Sequence, residues 1–275
     1  MRDFEKHYIA YQELDHPDEM MNDNFISELP PLMLFADRFN WLTDFVADVS
    51  SDNLIEMLHG QRAVEISFIG LIAYFEAFFK GLFSTSINLL PDNIVNLRRD
   101  NHNTNIDAHF VAKYILSKNI PLGTLLTENF DFGTAQKVNS LFTSLLRLTP
   151  FSKDDVRMYN KILQQRNLIV HHGTAVTFSH VEDPGSSSDT QVIRVGEGLI
   201  LDAIDYFEAA KLIGSIAIKT NKAVASLTSK KYAENKESID ANKNEALDLL
   251  SLEGKLATEL VHVPPYELKK TKKRK

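Results

Sequence analysis

The 275-residue sequence has no cysteine, which excludes a disulfide framework and any zinc site built on thiolates. It has no glycine-rich phosphate loop of the G-x-x-x-x-G-K type, no H-E-x-x-H zinc helix and no G-x-S-x-G nucleophile elbow. No repeat of 20–50 residues is visible. The first twenty residues are polar and acidic and hold no apolar signal-peptide segment. The greasiest stretch, Ile66 to Phe83, is interrupted by Glu76 and Lys80. It falls short of the roughly 18 uninterrupted apolar residues expected of a membrane span. These absences lead us to expect a cytoplasmic protein with no membrane partner, no cofactor and no metal.

A broad positive surface is also missing. Net charge is −7, and six of the last seven residues are Lys or Arg. Without that tail, 24 basic residues stand against 37 acidic ones, a body charge of −13. Such a body does not coat nucleic acid. Any RNA contact is expected to be local, in a cleft or at the tail, and the tail PPYELKKTKKRK reads as disordered.

What is present is helical periodicity. Leu32, Phe35, Phe39, Leu42, Phe45, Val46 and Val49 recur at spacings of three and four, with a second short piece near Leu54 to Leu58. Residues 62–84 are apolar almost all round, as a central helix packed on several sides would be. Pro91 and the polar run from Asp100 to Asn105 mark a loop, on which Arg98, Arg99 and His102 read as a solvated basic patch. Further helices are expected over Asp107 to Lys118 and Ala135 to Leu148. Another begins after Pro150, with Ser152 as N-cap and Asp155 three residues on, and Gly173 placed to stop it. Val156, Tyr159, Leu163 and Val170 give it an expected buried stripe. Residues 174–181 and 190–196 alternate and flank the turn-forming EDPGSSSD, so a small hairpin is expected. A long helix follows over Gly198 to Leu227, with Leu201, Ile204, Phe207, Ala210 and Leu212 inward. Leu249, Leu250, Leu252, Leu256 and Leu260 permit one more. The acidic pairs Glu128 and Asp131, or Asp154 and Asp155, read as loop and helix-start residues.

One segment combines core-like and chemical residues: QQRNLIVHHG, residues 164–173. On a straight helix Asn167 and His171 share a face, and Arg166 sits beside Asn167. An arginine among Leu168, Ile169 and Val170 asks for an anion or a carboxylate. The last helical turn favours a cation, and an imidazole there can give or take a proton near neutral pH. A structural role competes with this one: the arginine capping terminal carbonyls and the histidine simply preceding a stop glycine.

Arg166-Asn167-Leu168-Ile169-Val170-His171 resembles the R-x-x-x-x-H signature of the HEPN superfamily, including its preferred polar residue after the arginine. The order of helices is similar too: an apolar helix before the motif helix and a long one after it. The resemblance covers roughly residues 62–227, leaving 1–61 as an N-terminal helical extension and 228–275 as a C-terminal helical extension with the basic tail. It implies an all-α fold with a four-helix bundle core, carrying the hairpin at about 174–196 as an insertion. It also implies a homodimer with two motifs meeting at a cleft, and metal-independent endoribonuclease activity in phage defence, toxin–antitoxin or stress systems. An antitoxin or activating partner would belong to such a system. By that similarity His171 would move protons at the ribose 2′-OH or the leaving 5′-oxygen, Arg166 would hold the phosphate, and Asn167 would orient either. His172 is a possible auxiliary. Two features depart from the pattern. A subgroup controlled by nucleotidylation carries a tyrosine where this chain has Gly173, and the 174–197 insertion is not part of the minimal bundle. Besides RNA cleavage, two readings remain open: a catalytically silent HEPN-like adaptor that binds a protein or nucleotide, and a helical regulator in which the motif only finishes a helix.

Overall fold

A computed structural model describes residues 30–51, 58–109, 111–112, 122–175, 195–196, 198–234 and 241–262. The regular secondary structure among them is helical. The helices are α1 (Pro31–Ser51), α2 (Leu58–Leu89), α3 (Ile94–Arg99), α4 (Leu122–Thr127), α5 (Ala135–Leu146), α6 (Lys153–His172), α7 (Ala203–Glu234) and α8 (Ala241–Leu260). A single 3-10 turn at Pro91–Asn93 leads into α3. The expected all-α character holds for this part of the chain.

Phenylalanine explains why α2 sits at the centre. Phe68, Phe75, Phe78, Phe79 and Phe83 are buried along it. Phe75 meets Phe35 of α1 at 6.1 Å and Tyr159 of α6 at 5.5 Å, and Phe79 meets Phe142 of α5 at 5.7 Å. Edge-on and tilted ring contacts of this kind add to the apolar burial of large side chains. The pairs α1–α2 and α7–α8 are both antiparallel. A Cβ built on Gly70 would lie 3.4 Å from Leu42, and one on Gly81 3.4 Å from Pro31. Lys222 Nζ donates to Thr258 at 2.8 Å, and Ser229 and Ser251 hydroxyls meet at 3.0 Å.

One contiguous core joins all of this, and α1 and α8 contribute to it through Phe39, Leu250, Ala257 and Val261. The tie between them is polar as well. The buried Glu253 of α8 accepts the Met33 N–H at the start of α1 (2.8 Å), and burial lifts its carboxyl to about 8. By length and apolar composition, Gly60–Leu89 of α2 could reach across a bilayer, and half of its most apolar window is buried in the protein.

Several sequence expectations are altered. Arg98 and Arg99 are not on a loop but form the last turn of the six-residue α3. His102 is not merely solvated, since its Nε2 meets Ser144 Oγ at 3.0 Å. Helix α2 begins earlier and ends later than 62–84. Val170 was expected in a buried stripe but is 45% exposed, because the end of α6 overhangs the core. The expected helix at 107–118 lies largely outside the described residues. So does the hairpin, of which only the ends at 174–175 and 195–196 are described, and so does the basic tail. Beside those ends, Ala175 and Gly198 form an antiparallel bridge, and Leu199 N–H donates to Thr174 O at 2.7 Å.

Candidate functional site

Helix α6 is fixed first at its N-terminus. Ser152 Oγ accepts the Asp155 N–H at 3.2 Å, and Asp155 returns the bond by accepting the Ser152 N–H at 2.9 Å. This is the reciprocal capping box expected from the sequence. Asp155 also takes Lys219 of α7 at 2.9 Å. Tyr159 and Ile162 then enter the core. At the far end Gly173 turns left-handed with φ 55°, and the N–H groups of Gly173 and Thr174 both fold back on Leu168 O. Glycine adopts that conformation without the Cβ clash other residues meet.

Between these fixed points the helix borders an open cleft of about 310 Å³. Its lining is Glu76 from α2, Asp131 and Gly133 from the loop before α5, Thr134 at the N-cap of α5, and Leu163, Arg166 and Asn167 from α6. Arg166 Nη1 donates to Asn167 Oδ1 at 3.1 Å. Asp131 is engaged on both oxygens, by the Gly133 N–H at 2.7 Å and by Lys137 Nζ. Those bonds, Lys137 first, hold its carboxyl below the usual carboxylate range. Glu76 differs. It is half-buried and makes no hydrogen bond among the described residues. Burial pushes its carboxyl up, Arg166 draws it back, and the neighbouring Asp131 adds to the rise.

The structure thus brings Arg166 and Asn167 into one cleft and leaves His171 and His172 outside its lining. Both imidazoles are exposed on the last turn of α6. Arg166 and His171 are five residues apart, roughly 140° around a helix and about 7.5 Å along it. The arginine lines the cleft, and the histidine lies on another part of the helix surface, outside that lining.

Glu76 and Asp131 were not selected as site residues from the sequence. Glu76 did leave a trace, as an acid interrupting an otherwise apolar run. Asp131 left none, because its place beside Glu76 is made only by the packing of the pre-α5 loop on α2. A Cβ at Gly133 would lie 3.1 Å from Asp131 Oδ1 and 3.6 Å from Glu76 Oε1, so the two carboxyls flank this position, and a side chain there would press on Asp131.

Chemically, the cleft offers one guanidinium able to grip an anion, a side-chain amide beside it, and two carboxyls that oppose the anion. No cluster of three or more His, Asp or Glu able to hold a metal occurs among the described residues. Comparison of the chain with family models, with curated proteins and with solved structures finds no match.

Proposed function

We propose that the chain is a metal-independent endoribonuclease of HEPN type, working on RNA through Arg166, Asn167 and His171. The observation that carries this reading is the pair Arg166 and Asn167 bordering an open cleft on the helix whose last turn carries His171 exposed. His171 lies outside the lining of that cleft, whereas Tyr159 and Ile162 on the same helix are buried.

In this reading the nucleophile is the ribose 2′-OH. It attacks the adjacent phosphorus, the 5′-oxygen leaves, and the products are a 2′,3′-cyclic phosphate and a 5′-hydroxyl. DNA lacks the attacking group. Arg166 grips the phosphate and offsets the charge growing on its oxygens. The His171 imidazole takes the proton from the 2′-OH or returns one to the leaving oxygen. Asn167, bonded to the guanidinium, orients the phosphate or His171. By the family resemblance, two copies related by a twofold axis would bring their Arg166–His171 segments face to face. The chemistry suits a cytoplasmic defence or toxin–antitoxin nuclease, with an antitoxin or activating partner acting on the same cleft.

The second reading, a catalytically silent adaptor, draws on one specific observation. Two carboxyls flank the arginine, and the body of the chain is acidic. The deciding assay is cleavage of single-stranded RNA in EDTA by wild type and His171→Ala. The ribonuclease reading expects cleavage by the wild type alone, and absence of cleavage by both over varied RNAs favours the adaptor.

A further inference from the structure

Arg166 shares its cleft with the Glu76 carboxyl, and its charge acts on that carboxyl without a hydrogen bond or ion pair between them. Asp131 has its charge answered by Lys137 and the Gly133 N–H. Glu76 has no such partner among the described residues, and the cation acting on it is Arg166. We propose that Glu76 is the positioning residue of the Arg166 anion site. It holds the guanidinium in the cleft and competes with an incoming phosphate for it, so anion capture weakens as Glu76 ionises. This deepens the ribonuclease reading and rests on it for the choice of an RNA phosphodiester as the anion.

Three features of the cleft lead here. First, Arg166 has five N–H donors and its one hydrogen bond among the described residues goes to Asn167. A long flexible side chain held by one bond responds to the charges around it, and of the two carboxyls lining its cleft Glu76 is the one that no lysine answers. Second, the cleft holds two acids against one arginine, with Lys137 committed to Asp131. A phosphodiester entering this space must overcome Glu76 or meet it neutral. Third, Glu76 is half-buried beside a like charge, and both conditions favour its protonated form. Taking up a proton there is therefore the easiest way for the site to admit an anion, and proton and phosphate binding become linked.

The direction of the pH effect follows. With Glu76 protonated, Arg166 is free and the anion binds best. As pH rises through the raised Glu76 value, the carboxylate reclaims the guanidinium and affinity falls, levelling off once Glu76 is fully ionised. The surrounding groups do not reverse this. Tyr159 on α6 is pushed up by burial and then by Glu76, so it stays neutral. Asp131 stays ionised across the window because its value lies below the usual range. Lys80, one turn along α2, is paired with Glu128 at 2.7 Å. His171 and His172 are the histidines of the last turn of α6, outside the cleft lining, so substitution at Glu76 is needed to isolate its share.

The test uses binding alone. A single-stranded oligoribonucleotide with 2′-O-methyl groups throughout lacks the attacking hydroxyl and cannot be cut. Its affinity for the full chain is measured by fluorescence anisotropy between pH 5 and 8 at constant salt. Wild type is expected to lose affinity as pH rises, by on the order of tenfold or less, since one unit of pKa shift corresponds to tenfold. Glu76→Gln is expected to bind more tightly than wild type at pH 8 and to show a flatter profile. Glu76→Asp, which keeps the charge, restores the slope and serves as a second variant should the glutamine protein lose its helical content. Arg166→Ala cancels the gain made by Glu76→Gln. The proposal is overturned if Glu76→Gln keeps the wild-type affinity and slope, if Arg166→Ala binds like wild type, or if wild type binds nothing at any pH. Failure of the ribonuclease reading is seen separately, as absence of cleavage of natural RNA.

Discussion

The two halves of α6 are built for different work. Residues 153–162 are tied down by the Ser152–Asp155 capping box, the Lys219–Asp155 pair and Tyr159, which meets the rings of Phe75 and Phe151 at 5.5 and 5.3 Å. Of residues 163–172 only Leu168 is buried, and Arg166, Asn167, His171 and His172 look outward into the cleft or past its rim. One helix therefore joins a base tied to the core and to α7 to a tip that carries Asn167, His171 and His172 exposed. A short turn anchored in this way presents polar groups in fixed directions without placing their unpaired charge inside the core, which would be costly. Changes at the base should register as stability, and changes at the tip as chemistry.

The strongest challenge to that division is Tyr159→Ala. Removing a buried aromatic of this size is expected to lower stability by ~3–5 kcal/mol in urea denaturation. A loss below about 1 kcal/mol would mean the base is not anchored by the ring cluster. Ser152→Ala removes an N-cap oxygen and should cost about 1 kcal/mol, while cleavage per folded molecule stays at the wild-type level. A selective loss of cleavage there would blur the two halves. The smallest stability effect belongs to Asn167→Ala, expected within ~0.5 kcal/mol of wild type because the residue is exposed. Its RNA cleavage should fall, but by less than in His171→Ala. A drop of 2 kcal/mol would move Asn167 into the scaffold.

The base of α6 was legible in the sequence because its signals are local. Ser152, Asp155 and Gly173 each specify a helix end through bonds within one turn. The extent of α5 follows from periodicity, and the central place of α2 from its being apolar almost all round. The six-residue helices α3 and α4 were not legible, being too short to show a period. Val170 fits the apolar pattern of its helix yet lies past the edge of the core, which periodicity cannot register. For Arg166 the sequence announced the need for an anion or a carboxylate but not its identity. Glu76 is 90 positions earlier, and only the packing of α2 against α6 and the pre-α5 loop brings it to the cleft. The expected roles of Arg166, Asn167 and His171 came from residue type and resemblance, and they remain proposals about chemistry.

The central claim is that the tip of α6 cleaves RNA, and one comparison tests it most directly. Wild type and His171→Ala, matched in helical content by circular dichroism, are incubated with single-stranded RNA in EDTA and the product ends are analysed. The account predicts cleavage by the wild type with 2′,3′-cyclic phosphate and 5′-hydroxyl ends, and a loss of ~10²–10⁴-fold in the variant, the usual worth of general acid–base catalysis. Equal cleavage by the two proteins, or wild-type products with other ends, would contradict it.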